Sequence, residues 1–281
     1  MVVVLSVLAM LSVGVGELFA SGATDRARSH EVTAMMFLTG TVGTAIVALF
    51  WPGEPVARDL GVAVVAGVVN GIGILLTYAA YSRGSLRSAA PSAAVVMTAI
   101  PVAWDFVLAE QRPSAVVVLG IVLGLVAIGL TSYEGPNTAE LDGPKGAVVI
   151  AVGGGLMFGL LFILLGEISS DAGGTPVVIQ RGVALVVAVV AARATGPRII
   201  PEQSRDRWIA GGVGLLATAT VVLIVIALQL GGSLSVVSVL TSQYAAVAVV
   251  AGVLFANQTI TRVQGTGLAL ASVAVALITL G

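Results

Sequence analysis

The chain has 281 residues, of which 58% are hydrophobic and 10% charged, and its mean hydropathy is +1.09. Soluble domains carry about 25% charged residues, so a water-facing surface is excluded and lipid must cover most of the outside. A net charge of −1 without a basic block argues against nucleic acid as a partner. The absence of Cys, with His30 as the single histidine, excludes disulfides, thiolate chemistry and a His-based metal site.

A spanning helix needs about 20 mostly apolar residues. The chain opens on such a run, 2–22, with no basic stretch ahead of it, which reads as a first membrane helix rather than a cleaved signal peptide. Glu17 lies inside this run, about five residues past its midpoint, or about 7 Å from the bilayer centre at 1.5 Å per residue. A carboxylate at that depth marks function by default and suits binding and release of protons or capture of a cation. His30, beside Arg28 and Glu31, reads as a loop residue.

Helix 2 is expected over 32–51 and carries Thr41; helix 3, over 60–81, carries Asn70 at its centre. Helix 4, over 89–109, carries Thr98 at mid-depth and Asp105 about one turn from its end; helix 5 covers 115–132. The polar stretch 133–146 then separates the chain into two halves, 1–132 and 147–281.

Helix 6, over 147–166, is followed by Glu167, and helix 7, over 177–194, carries Gln180 and Arg181 one turn in. Helices 8, 9 and 10 are expected over 209–230, 234–256 and 263–280, with Thr218 in helix 8 and Gln243-Tyr244 in helix 9. Unpaired amides are expensive in hydrocarbon, so Asn70 and Gln243 must face protein or a wet cavity. Asn70, Thr98, Gln243 and Tyr244 are the candidate solute-binding residues. Glu17 and Glu167 are the candidate proton or cation sites. Asp105 and Arg181 are candidates for a gate or ion pair, with Glu167 or Asp171 able to reach Arg181 on one membrane face.

The halves resemble each other at an offset of 147. Ala80-x-x-x-Gly84 falls on Ala227-x-x-x-Gly231, Ser88 on Ser235, Ala109 on Ala256 and Gly120 on Gly267. At the same offset Glu167 lands three residues from Glu17, on the same helix face. Gly120-x-x-x-Gly124 and Gly267-x-x-x-Ala271 are small-residue pairs suited to packing helix 5 on helix 10. An odd number of helices per repeat inserts the second half upside down, and inverted repeats with the solute near mid-depth are a transporter arrangement.

On these features the chain resembles an EamA-type member of the drug/metabolite transporter superfamily. The resemblance rests on Ala80-Tyr81-x-x-Gly84, Pro91, Pro101, Ala109-Glu110 closing helix 4, and the Gly120 to Gly124 segment that follows. Arg181 resembles an arginine often found in the second helix of each repeat. The second half departs in having Ala256-Asn257 where Ala-Glu is expected, and helix 2 has no arginine. The resemblance implies that helices 1–4 and 6–9 enclose the pathway, with helices 5 and 10 outside. It also implies both termini in the cytoplasm. The charge distribution implies the reverse, because every basic residue except Arg58, Arg112 and Arg181 falls on the face opposite the termini.

The expected function is secondary transport of a small organic solute (a metabolite, amino acid or cationic compound) by alternating access, with protons coupled through Glu17. No phosphate-binding loop is present, and no cofactor is expected. The expected location is a bacterial inner (plasma) membrane, as a multi-pass protein. A channel or non-transporting membrane subunit is the alternative. An intramembrane enzyme fits less well, because Glu17 and Asp105 lie near opposite faces, which is wrong for an acid–base pair.

Overall fold

Glycine and β-branched residues, poor helix formers in water when unpacked, form helices here because in a bilayer a helix satisfies every backbone group within its own segment. The computed structural model describes residues 1–83, 86–107, 114–131, 145–244, 246–247, 250 and 261–280, without the side chains of residues 86–92, 131, 145, 148 and 279. Among the described residues every regular element is helical. The first half holds α1 (Val2–Thr24), α2 (Ser29–Ala48), α3 (Ala57–Tyr81), α4 (Leu86–Val107) and α5 (Ala115–Thr131). The second holds α6 (Lys145–Gly166), α7 (Thr175–Thr195), α8 (Ser204–Gln229), α9 (Leu234–Ser242) and α10 (Arg262–Leu280). A 3-10 turn, Ser170–Ala172, lies between α6 and α7.

Within this set, α1, α2, α3, α6, α7 and α8 contain stretches long and apolar enough to cross a membrane, while α4, α5 and α10 contain shorter apolar helices. The ninth helix is expected over 234–256; 251–256 lie outside the described residues, as do Gly84, Ala109-Glu110, Ala256-Asn257 and most of the connecting stretch 133–146. Several helices begin earlier than hydropathy suggests, α3 and α8 each by a charged turn. The charged turns Arg58-Asp59 and Arg205-Asp206 belong to α3 and α8 and occupy the second and third helical positions of each. Carboxylates are favourable in a first turn, where the helix dipole and free N–H groups await them, and Asp59 Oδ2 accepts the Val56 N–H at 3.0 Å.

Apolar side chains form outward stripes at helical spacing. Val4, Leu8, Leu11, Val15 and Phe19 run along α1; Leu38, Val42 and Ile46 run along α2; Val186 and Val190, both more than 60% exposed, run along α7. Stripes of this length are liabilities in water and ordinary in lipid. The inward faces are built from small residues, the usual means of close packing where lipid offers no hydrophobic driving force.

The principal helix pairs are α1–α8 and α6–α3, α2–α8 and α7–α3, α1–α9 and α6–α4, with α2–α7, α4–α9 and α5–α10 beside them. Exchanging α1–α5 for α6–α10 maps this set onto itself. The match extends to single residues: Gly214 faces the Met36 carbonyl, and Gly67 faces Val183. Gly40 faces Thr218, and Gly71 faces Val187. Each residue of one contact stands 147 from its counterpart in the other.

The ends of the bundle are stitched across the halves. Beyond α2, Glu54 N–H donates to the Asp171 carbonyl at 2.8 Å and Gly174 N–H donates to the Trp51 carbonyl at 3.0 Å. Gly173, at φ +63°, abuts Gly53 so closely that neither position has room for a side chain. At the other end of α2, Arg26 pairs with Asp206 and Arg28 lies against Gly196.

Candidate functional site

A cavity of about 120 Å³ lies inside the bundle. Among the described residues its walls come from α1 (Ser12, Glu17), α2 (Met36), α3 (Asn70, Tyr78), α4 (Met97), α6 (Phe158, Phe162), α7 (Arg181) and α8 (Val213, Thr220). Thr241 of α9 and Tyr244, just beyond it, complete the wall. None of its described lining comes from α5 or α10, which pack on each other: a side chain at Gly120 would meet Ile278 and the Ala274 carbonyl.

Two ionisable groups of opposite kind, an acid and a base, face this space. Glu17 is half-buried, and its Oε2 has no hydrogen-bond partner. The Tyr81 hydroxyl lies near the carboxyl but also lacks a partner of good geometry. Arg181 is 5% exposed. It is held by a hydrogen bond from an Nη atom to the Ala217 carbonyl and by Phe37, whose ring centroid lies 5.7 Å from the guanidinium carbon. Its Nε has no partner. The ion pairs among the described residues are Arg26–Asp206, Arg58–Glu167 and Arg198–Glu202, so neither cavity charge is neutralised by the other or by a third group. Tyr78 stands within electrostatic reach of both, and its hydroxyl is fixed on Met36 Sδ at 3.3 Å.

The sequence-derived candidates divide by position. Glu17, Asn70, Arg181 and Tyr244 come together on the cavity. Thr98 is buried and donates to the Ala94 carbonyl of its own helix at 2.7 Å. Gln243 is turned away from the cavity, its Nε2 donating to the Gly124 carbonyl of α5 at 3.3 Å. Asp105 faces α9, where its Oδ2 accepts the Ser235 N–H at 2.6 Å and so caps that helix together with Ser233. Glu167 pairs with Arg58, not with Arg181.

Contact register also separates Glu167 from Glu17. Gly14 meets Val247 and Gly159 meets Ile100; the partners stand 147 apart, but the glycines stand 145 apart. On that register the position matching Glu17 is Phe162, itself a cavity residue. Sequence reasoning passed over Tyr78, Phe158, Phe162 and the two methionines because aromatic and Met residues in a membrane helix carry no signal of direction.

Residues 1–133 match the EamA-like transporter family. No curated protein matches the chain. A solved structure described only as "Crystal structure of protein" is 14% identical, covering 99% of this chain and 95% of that one with a TM-score of 0.69. At that identity it shows a shared fold and nothing more. The first half of the chain is thus similar to the EamA-like transporter family, consistent with an EamA-type protein of the drug/metabolite transporter superfamily, and six of the described helices are long and apolar enough to cross a membrane.

Proposed function

We propose that this EamA-like chain is a secondary transporter, moving a small zwitterionic solute through the central cavity by alternating access. The observation that carries the reading is the cavity itself, where an acid and a base that form no ion pair, Glu17 and Arg181, line one shared space. Buried charges without partners are costly, so the arrangement favours a ligand that brings both opposite charges. An ammonium group would sit on Glu17 and a carboxylate on Arg181, with Asn70 and Tyr244 supplying polar contacts. The apolar remainder of the wall (Met36, Met97, Phe158, Phe162) suits an apolar side chain. A volume near 120 Å³ is well below the roughly 300–1,000 Å³ of pockets for drug-sized ligands. It favours a molecule of amino-acid size over a bulky cationic drug.

The architecture we infer is ten spans in two inverted five-helix repeats, 1–132 and 147–281, in a bacterial inner membrane. The interchange of helix pairs supports it, as do the end-to-end stitches at opposite ends of α2. Glu17 is the proposed coupling site, because it is the acid of the cavity and exchanges a proton for a solute ammonium without stranding charge. Glu17→Gln fixes the neutral form at nearly constant shape. In proteoliposomes it should leave the protein folded and abolish the pH dependence of solute flux, whereas Glu17→Asp should keep part of it with a displaced optimum. Wild-type flux and pH profile in Glu17→Gln would remove Glu17 from the mechanism.

A further inference from the structure

We propose that Asp59 and Asp206 are a matched pair of latches that close the two ends of the transport pathway and release in turn. This rests on the alternating-access reading and adds to it the residues that hold each end shut. Both aspartates occupy the third position of their helices, α3 and α8, and each follows an arginine, Arg58 or Arg205. They stand 147 residues apart, the same offset that relates the α2–α8 and α3–α7 contacts. Both are buried, at 0% and 1% exposure.

A first-turn aspartate that only capped its helix would need no burial and no partner in the other half. Each of these has one. Asp59 Oδ1 accepts from the backbone N–H and the hydroxyl of Ser169, both at 2.9 Å, while its Oδ2 caps α3. Asp206 Oδ1 accepts from Arg26 Nε at 2.9 Å. Thus the start of α3 holds the α6–α7 connection, and the start of α8 holds the α1–α2 connection. The two bonds lie at opposite ends of α2, a helix of 20 residues and therefore about 30 Å long. Parting the halves at either end breaks that end's aspartate bond and leaves the other intact.

The latches are unequal. The Asp59 end is reinforced by Arg58–Glu167 and by the two backbone bonds that join Glu54 to Asp171 and Gly174 to Trp51. Between the α1–α2 and α7–α8 connections, the described polar contact is the Arg26–Asp206 pair, with Arg28 lying against Gly196. Among the described residues the Asp206 end is therefore the less reinforced.

The chain has no Cys, so Ser12→Cys on the cavity wall gives a single reporter. The full-length protein in vesicles of known sidedness is exposed to a membrane-impermeant, charged thiol reagent from one face at a time. Asp206→Asn, and Arg26→Gln on the partner side, should speed labelling from the face where α2 begins by about tenfold, the effect of losing one charged hydrogen bond in a two-state equilibrium. Asp59→Asn should instead favour labelling from the face where α2 ends, with a smaller change because other bonds persist there. Ser169→Ala should act in the same direction. Ser169→Ala and Arg26→Gln leave both aspartates in place in the first turns of their helices, so they decide the matter even if an aspartate variant fails to fold. Partner-side variants that shift labelling towards one and the same face, or leave it unchanged, overturn the proposal. Labelling is read without solute, so a protein that carries no tested solute still passes or fails this test separately.

Discussion

Gly214→Ala should destabilise the protein, whereas Gly212→Ala, two residues earlier on the same helix, should not. A methyl group at 214 would strike the Met36 carbonyl and the Thr39 hydroxyl of α2, with the Gly40 nitrogen 3.1 Å away; at 212 it meets nothing within 4 Å. Two of the obstacles at 214 are backbone atoms, which cannot swing aside as a side-chain tip would. Overpacking of this kind costs about 1–3 kcal/mol, partly offset by the roughly 1 kcal/mol by which Ala exceeds Gly as a helix former. The expected net loss at 214 is up to about 2 kcal/mol, or several degrees of Tm at about 2–4 °C per kcal/mol for a chain of this order of size. At 212 only the helix term remains, and Tm should hold or rise slightly. A second pair, on α3, behaves alike: a methyl at Gly67, the counterpart of Gly214, meets the Gln180 carbonyl and Val183 Cβ at 2.6 Å, and one at Gly61 meets nothing within 4 Å. Thermal unfolding of the purified protein in detergent, followed through its three tryptophans, measures all four. Equal Tm values for Gly212→Ala and Gly214→Ala would refute the close α2–α8 crossing on which the arrangement of the halves rests.

Asn70→Cys and Tyr244→Cys should react with a small water-soluble thiol reagent, while Thr98→Cys and Gln243→Cys stay inert; the reverse pattern would move the pathway elsewhere. Arg181→Met should raise KM for the solute far more than it lowers kcat. Arg181→Lys should recover little, because a lysine cannot keep both the Ala217 bond and the stacking on Phe37. Asp105→Ala leaves the Ser235 N–H buried without its acceptor and should cost about 1–3 kcal/mol of stability, visible as a lower Tm with an unchanged pH profile of transport.

Helix positions were legible because the bilayer fixes both length and apolarity. Ranges such as 60–81 and 177–194 lie inside α3 and α7, and the errors collect at charged first turns, which hydropathy discards. That discarding also hid the Arg-Asp pairs at 58–59 and 205–206, although they coincide at the very offset that revealed the halves. Glu17 was legible because a carboxylate within a span is rare in itself. The directions of Thr98 and Gln243 were not, since a threonine satisfied by its own helix and a glutamine bonded to a neighbouring one look the same in sequence as cavity residues. Glu167 drew attention by its offset from Glu17. Register shifts by two residues between α1 and α6, however, and a single offset for the whole chain cannot express that.

Competition in proteoliposomes tests the central claim most directly. Under an imposed pH gradient, uptake of a labelled apolar amino acid is challenged with the unlabelled zwitterion, with its amide, which keeps only the positive charge, and with its N-acetyl form, which keeps only the negative one. A cavity holding Glu17 and Arg181 unpaired predicts strong competition by the zwitterion and weak competition by either single-charge analogue, with Arg181→Met selectively losing preference for the free carboxylate. Equal competition by the amide and the zwitterion in both proteins, or no saturable uptake of any of the three, would contradict the account.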